Sequence, residues 1–217
     1  ELIFAIREWV LMEKNEIPEV VIGRLPVYIQ KLNQLLREGR EIISSKELAE
    51  HIGTTASQIR KDLSYFGGFG KQGSGYNIIK LLETLRGILN LNHPWKVVLV
   101  GAGHLGSALL SYQGFLQKGF EIVLALDSNP SLIGTKIAGI AIEPVERLEE
   151  FVKAHQVKLA ILTVPASEAQ KVANRLVESG IEAIVNYAPF TLKCPEGVHV
   201  SDIDPVLLLQ KMTYYLE

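Results

Sequence analysis

Apolar residues recur along this chain in two rhythms. Up to Leu89 they return every three or four positions, the spacing of one helix face. Leu2, Ile3, Ile6 and Val10 mark an amphipathic stretch over 1–14. Val21, Leu25, Tyr28, Ile29, Leu32, Leu35 and Leu36 predict a helix from Pro18 to Arg37. Pro26 is an internal breaker that would kink it, and Gly39 ends it. Ile42 and Ile43 form a short extended link, and Ile78 to Leu89 predicts another amphipathic helix. From Trp95 onward the rhythm changes to short apolar runs rich in β-branched residues, which suit buried strands. These runs are Lys96–Val100, Glu121–Leu126, Lys158–Val164, Glu182–Asn186 and Val198–Asp204, with a shorter candidate at Ile137–Ile142. Helical patterns lie between them, among them Val145–His155 and a helix capped by Ser167 that runs to Ser179 and closes on Gly180. Strand and helix alternate, so the expected sheet is mainly parallel. The polar, proline-ended Asn90–Pro94 separates the two rhythms. The expected division is an N-terminal extension (1–17), a helical domain (18–90), an α/β domain (91–204) and a C-terminal helix (205–217).

The first strand of the α/β part runs directly into Gly101, Ala102, Gly103, His104, Leu105 and Gly106, a G-x-G-x-x-G spacing. Gly101 allows a tight turn, Gly103 lets backbone approach a pyrophosphate, and Gly106 lets the next helix pack on the sheet. The next strand ends on Asp127, 21 positions beyond Gly106, where an acid can accept hydrogen bonds from an adenosine ribose. This is the Rossmann pattern. Ser128 and Asn129 follow, with no Arg or Lys beside them for a 2′-phosphate, so NAD(H) is favoured over NADP(H). Ligands of such sheets sit beyond the carboxyl ends of strands, which makes Thr163, Val164, Pro165, Asn186, Tyr187 and Ala188 candidate neighbours of the nicotinamide.

In the helical part, Ser44 and Glu47 have capping-box spacing, as do Thr55 and Gln58. They predict short helices over Lys46–Ile52 and Ala56–Phe66, joined at Gly53. Leu48, Ala49, Ile52, Ile59 and Leu63 would face inward, with small Ala49 and Gly53 where the helices approach closely. This is a helix-turn-helix pattern. The second helix would expose Ser57, Gln58, Arg60, Lys61, Ser64 and Tyr65, side chains suited to base edges and phosphates. Gly67–Tyr76 then reads as a small hairpin with Lys71 at its tip, a wing able to set register on the DNA backbone.

Charge supports the division. The chain carries a net −2, which alone argues nothing for nucleic acid. Residues 57–86, however, hold five Lys and Arg against two Asp and Glu. The single cysteine, Cys194, fits a reducing cytoplasm, and one cysteine with scattered histidines offers no metal-ligand spacing. No run reaches the ~18 apolar residues of a membrane span. Met12 is a candidate start preceded by an extension, and the stretch before it lacks a signal peptide's basic start and cleavage site. Pro205 opens a helix over Val206–Leu216 that is apolar nearly all round. Such a helix calls for burial, either on its own domain or on a partner subunit by domain swapping.

Together, S-Q-I-R-K-D-L-S-Y-F-G (Ser57–Gly67), G-K-Q-G-S-G-Y (Gly70–Tyr76), V-G-A-G-H-L-G (Val100–Gly106), L-T-V-P-A (Leu162–Ala166) and N-Y-A-P (Asn186–Pro189) resemble the Rex family of redox-sensing transcriptional repressors. The resemblance implies a Rossmann domain preceded by a winged helix-turn-helix domain, with a domain-swapped C-terminal helix. It implies a cytoplasmic homodimer that binds a palindromic double-stranded DNA operator with NAD⁺ or without cofactor, and releases it with NADH. It also implies DNA contacts at Arg24, Ser57, Gln58, Arg60, Lys61, Lys71 and Gly73. Cofactor contacts fall at the glycine loop, Asp127, Val164, Pro165 and the Tyr187 region. Tyr112, on the first Rossmann helix, would be tied to cofactor state, with Asp204 at the start of the C-terminal segment within its reach. The extension before Asn15 and Pro26 in the first helix depart from the family pattern.

Two other functions are open to a Rossmann chain. A dehydrogenase needs an acid/base group beside the nicotinamide. His51, His93, His155 and His199 lie away from strand carboxyl ends, and His104 sits in the glycine loop. Tyr187 is the one candidate acid, with no lysine a helical turn away. The other alternative is a sensor of a coenzyme A derivative, against which Asp127 argues mildly.

Overall fold

The computed structural model describes residues 17–67 and 75–216, and the chain divides between Asn92 and His93 into two compact units. The amphipathic stretch over 1–14 and most of the wing, including Lys71 and Gly73, lie outside the described residues.

In the first unit, helices α1 (Glu19–Ile22) and α2 (Leu25–Arg37) replace the single kinked helix expected from Pro18. The break falls at Gly23–Arg24, and Pro26 sits in the first turn of α2, where its missing N–H costs no helical hydrogen bond. Strand β1 (Ile42–Ile43) leads to α3 (Ser45–Ile52), which has both halves of the capping box between Ser44 and Glu47. These bonds and Arg40 hold the Glu47 carboxyl down to about 2. Gly53 ends α3 in the left-handed region at φ 71°, with open space around the place of a Cβ. Its glycine therefore serves the turn and not the close helix approach that was expected. Helix α4 (Ala56–Ser64) follows Thr55, whose side chain accepts the Gln58 N–H. Strand β2 (Tyr76–Asn77) returns to pair antiparallel with β1, and α5 (Ile78–Ile88) completes the unit. The core joins Leu25, Tyr28 and Leu32 of α2 to Leu48 of α3, Ile59 and Leu63 of α4 and Leu81 of α5, all on helix faces that the periodicity marked.

The second unit holds a seven-stranded sheet in the order β5-β6-β4-β3-β7-β8-β9. Its strands are β3 (Trp95–Val100), β4 (Phe120–Asp127), β5 (Lys136–Ile137), β6 (Ile140–Pro144), β7 (Leu159–Leu162), β8 (Ala183–Asn186) and β9 (His199–Asp202). All pairings are parallel except β5 with β6. The single strand expected over Ile137–Ile142 is this hairpin, turned by Ala138 and Gly139, both at positive φ. Helix α6 (His104–Leu110) follows the glycine loop and stops early, and α7 (Gly114–Gln117) follows after a break. Tyr112 lies in that break, not on the first helix, with its ring folded over Gly114. Val145–Arg147 forms a 3₁₀ turn before α8 (Leu148–His155). Helix α9 (Ala166–Glu178) begins at Pro165 with no side-chain cap, so Ser167 lies inside its first turn. Helix α10 (Pro205–Thr213) starts on Asp204, which accepts the Val206 N–H at 2.8 Å. Burial on its own unit is not found for α10: Leu207, Leu208 and Leu209 are 62–66% exposed.

Candidate nucleotide cleft and DNA-reading face

Strand β3 delivers the chain into a loop that tolerates no side chain at two of its three glycines. Gly101 lies at φ 100°, and a Cβ there would stand 2.7 Å from the Thr163 carbonyl oxygen. A Cβ on Gly106 would stand 1.9 Å from the Gly101 carbonyl oxygen. Around Gly103, by contrast, nothing lies within 4 Å of the place of a Cβ. Gly103, His104 and Leu105 are exposed, while Gly101, Ala102 and Gly106 are buried beneath them.

Two side chains close the loop from neighbouring strands. Thr163 Oγ1 donates to the Gly101 carbonyl at 2.6 Å. Asp127 Oδ2 accepts the Ala102 N–H at 2.6 Å, and its Oδ1 accepts the Asn129 N–H at 2.7 Å. Asp127 thus holds the loop in shape, and each of its oxygens keeps a lone pair for a further donor. It lines a cleft of about 540 Å³ with Gly101, Gly103, Thr163, Val164 and Pro165. This cleft lies where the sheet order reverses beside β3.

Tyr187 and Ala188 line a second cavity of about 320 Å³, with Asp204 and Leu207. Asn186 lies between strand ends but is fully committed. It donates to the Phe190 carbonyl and to Asp202, accepts the Ala188 N–H, and is buried. Tyr112 makes an edge contact with Phe115, and among the described residues no hydrogen bond joins it to Asp204 within the chain.

On α4, Ser57, Arg60, Lys61 and Ser64 are exposed and Gln58 is half-buried; the helix stops at Ser64 and not at the expected Phe66, which leaves half-buried Tyr65 just beyond its end. Arg60 donates to Ser45 Oγ and Ser57 Oγ, which spreads its guanidinium along the helix. Ser64 Oγ is turned back onto the Lys61 carbonyl. Arg24 is tied in at the base of this face. Its Nε and Nη2 reach Asp62 at 2.6 and 2.7 Å.

The chain matches the family model Putative DNA-binding protein N-terminus over residues 16–64 and the CoA binding domain model over 92–190. A redox-sensing transcriptional repressor Rex from Roseiflexus sp. (strain RS-1) is 52% identical over 202 residues, 93% of this chain and 92% of the relative. This chain belongs to the Rex family of redox-sensing transcriptional repressors. Solved Rex-like structures agree. RSP in complex with β-NAD⁺ and operator DNA superposes with a TM-score of 0.88 at 41% identity over 92% of each chain. RSP in complex with β-NADH gives 0.85 at 39% identity, over 93% of this chain and 94% of that one.

The Rex-family fold brings three further charged groups into play. Glu168, Lys171 and Arg175 of α9 line the cleft that holds Asp127. No Arg or Lys follows Asp127 along the chain, while Lys171 and Arg175 line the same cleft from α9. The i, i+3, i+7 spacing of the three marks them as one helix face, the signal by which the sequence could have shown them together. Arg175 is occupied: it donates to both Glu149 oxygens, at 2.6 and 2.8 Å, and to the Val145 carbonyl at 2.9 Å. It thereby fixes the 3₁₀ turn that walls the cleft. Lys171 is exposed at the rim. The fourth group is Asp62, whose charge and position in a basic run suggest a solvated residue, yet it is fully buried. Among the described residues no cluster of His, Cys, Asp or Glu could hold a metal, and no helix is long and apolar enough to cross a membrane.

Proposed function

We propose that this chain is a cytoplasmic homodimeric repressor that holds a palindromic operator with NAD⁺ or without cofactor and lets go when NADH binds. The observation that carries this reading is one chain with both a glycine cradle closed by Asp127 and an exposed polar face on α4. The likeness to RSP, solved with NAD⁺ and operator DNA and with NADH, supports it. The residues fit a dinucleotide, because the cradle leaves open backbone at Gly103 and a carboxylate with spare acceptor capacity at the end of β4. Gly101 to Gly106 would hold the pyrophosphate and Asp127 the adenosine ribose, while Thr163, Val164, Pro165, Tyr187 and Ala188 would lie toward the nicotinamide. Asn186 would act by shaping that loop.

The oxidised ring carries a positive charge that the reduced ring lacks. Apolar surroundings at Pro165, Tyr187 and Ala188 penalise the cation, so NADH binds more tightly. That differential affinity is what can shift the dimer between two shapes. Operator binding requires two recognition helices roughly 34 Å apart, one turn of DNA. Ser57, Gln58, Arg60, Lys61, Ser64, Tyr65 and Arg24, with Lys71 and Gly73 of the wing, would form the DNA contacts. The exposed apolar surface of α10 supports its insertion into a partner subunit, which would bring Asp204 of one subunit toward Tyr112 of the other. Likeness to relatives named as Rex repressors supports sensing without turnover.

The test is operator binding titrated with each nucleotide. Release by NADH at far lower concentration than by NAD⁺ is expected, with affinity falling steeply with salt. Equal release by both would overturn the redox reading. The match to the CoA binding domain model favours one other ligand, a coenzyme A derivative. Displacement of NADH by coenzyme A in the same titration would decide for it.

A further inference from the structure

The side chain of Asp62 is 0% exposed, although it lies on the helix that carries the polar face. Four donors converge on its carboxylate. Oδ2 accepts from Arg24 Nε at 2.6 Å and from the Tyr28 hydroxyl. Oδ1 accepts from Arg24 Nη2 and from Gln58 Nε2, both at 2.7 Å. Burial pushes its pKa up, but the hydrogen bonds from Arg24, Tyr28 and Gln58 outweigh this and hold it below the usual carboxylate range.

An ionised carboxylate only accepts hydrogen bonds. A glutamine amide held against it must therefore turn its NH₂ inward, so the choice between its two flipped orientations is made before any ligand arrives. We propose that Asp62 sets the polarity with which Gln58 meets DNA, and so makes Gln58 a reader of adenine. With one N–H given to Asp62, Gln58 retains its Oε1 acceptor and one N–H donor. That pair matches the adenine N6 donor and N7 acceptor in the major groove. Guanine offers two acceptors there and leaves Oε1 without a donor. Asp62 is a positioning residue, since it would touch no base itself. The proposal rests on the DNA-binding role assigned above to α4.

The experiment is selection from a randomised duplex library with the full-length protein, then affinity measured at every position of the selected site. The parent is expected to require adenine at one position of each half-site. Gln58→Ala should lower discrimination at that position about tenfold, in line with the worth of one bidentate base contact. Asp62→Asn should lose discrimination at the same position, and in the Gln58→Ala background it should change that position no further. A uniform loss across all positions on Asp62→Asn, with adenine preference intact, would overturn the proposal and leave Asp62 a purely structural group. No position-specific change on Gln58→Ala would also overturn it, with the DNA-binding role still standing. Failure of the parent to enrich any sequence would count against that role itself.

Folding of each variant is checked by its circular dichroism melt. Where Asp62→Asn does not fold, nitrogen-edited NMR of the free parent supplies the second measurement. One Gln58 side-chain amide proton should be protected from exchange. Exchange of both as fast as in an exposed glutamine would overturn the proposal.

Discussion

Two aspartates anchor the two units, and they do so in opposite ways. Asp62 is sealed, with four side-chain donors on its two oxygens and no contact with water. Asp127 is half-open and, among the described residues, bonded to the backbone N–H groups of Ala102 and Asn129 at the rim of a cleft. A sealed carboxylate fixes the parts around it and has nothing left for a ligand. A half-open one shapes its loop and can still accept from a sugar hydroxyl. The difference suits their surroundings. A recognition helix must present fixed side chains to a rigid duplex, whereas a cleft must admit and release a small molecule.

Substitution should expose this contrast most strongly at Asp62. Asp62→Ala leaves Arg24, Tyr28 and Gln58 unpaired around a buried gap and should destabilise the first unit by about 3 kcal/mol. Chemical denaturation followed by far-UV circular dichroism would show it, while NADH binding by the second unit persists. An equal loss of stability in Asp127→Ala would erase the distinction.

Acid should test Asp62 next. The folded pKa of Asp62 lies below its unfolded value, so its contribution is complete above about pH 4 and is lost as pH falls through the folded pKa. Glu47 acts in the same direction, down to about 2. Stability of the first unit measured from pH 5 to pH 2 should fall, and Asp62→Asn should flatten part of that fall. An unchanged slope would place the acid sensitivity elsewhere.

A smaller effect is expected at the cleft. Asp127→Ala removes the Ala102 anchor and the proposed ribose acceptor, and should weaken NADH binding about tenfold, roughly 1.4 kcal/mol, with cofactor-free operator binding intact. Titration calorimetry with NADH and fluorescence anisotropy with operator DNA check both halves. Smallest of all, Arg175→Met should weaken NADH binding a few-fold, because the 3₁₀ turn over Val145–Arg147 loses one tie while its partly exposed ion pair with Glu149 contributes under about 1 kcal/mol. A loss as large as that of Asp127→Ala would mean that Arg175 contacts the ligand directly.

The legibility of the two aspartates follows the same contrast. Asp127 could be found because local rules place it: a strand, a glycine turn, a helix, and an acid closing the next strand. Gly101 and Gly106 were equally readable; Gly101 makes the predicted turn at positive φ, while a side chain at Gly106 would strike first the Gly101 carbonyl and only then Leu99 of the sheet. Asp62 sits in S-Q-I-R-K-D-L-S, three positions after Ile59 and so on the inward face, but nothing local supplies all the partners that an acid buried there needs. Its partners Arg24 and Tyr28 lie 38 and 34 positions away. The place of Glu168, Lys171 and Arg175 at the cleft was hidden for the same reason, since α9 and β4 meet there from distant parts of the chain.

What the sequence determined by itself is what hydrophobic rhythm and turn chemistry control: the order of the elements, the parallel sheet, the glycine cradle, the capping box and the face of α4. Local errors came where the backbone had a cheaper choice, as with Pro26 starting a helix instead of kinking one, and Gly53 serving a left-handed turn. Only the tertiary structure decided which charges are paired, which amide is oriented and which apolar helix stays uncovered. Those depend on atoms that sequence distance keeps apart and that packing alone brings within hydrogen-bonding reach.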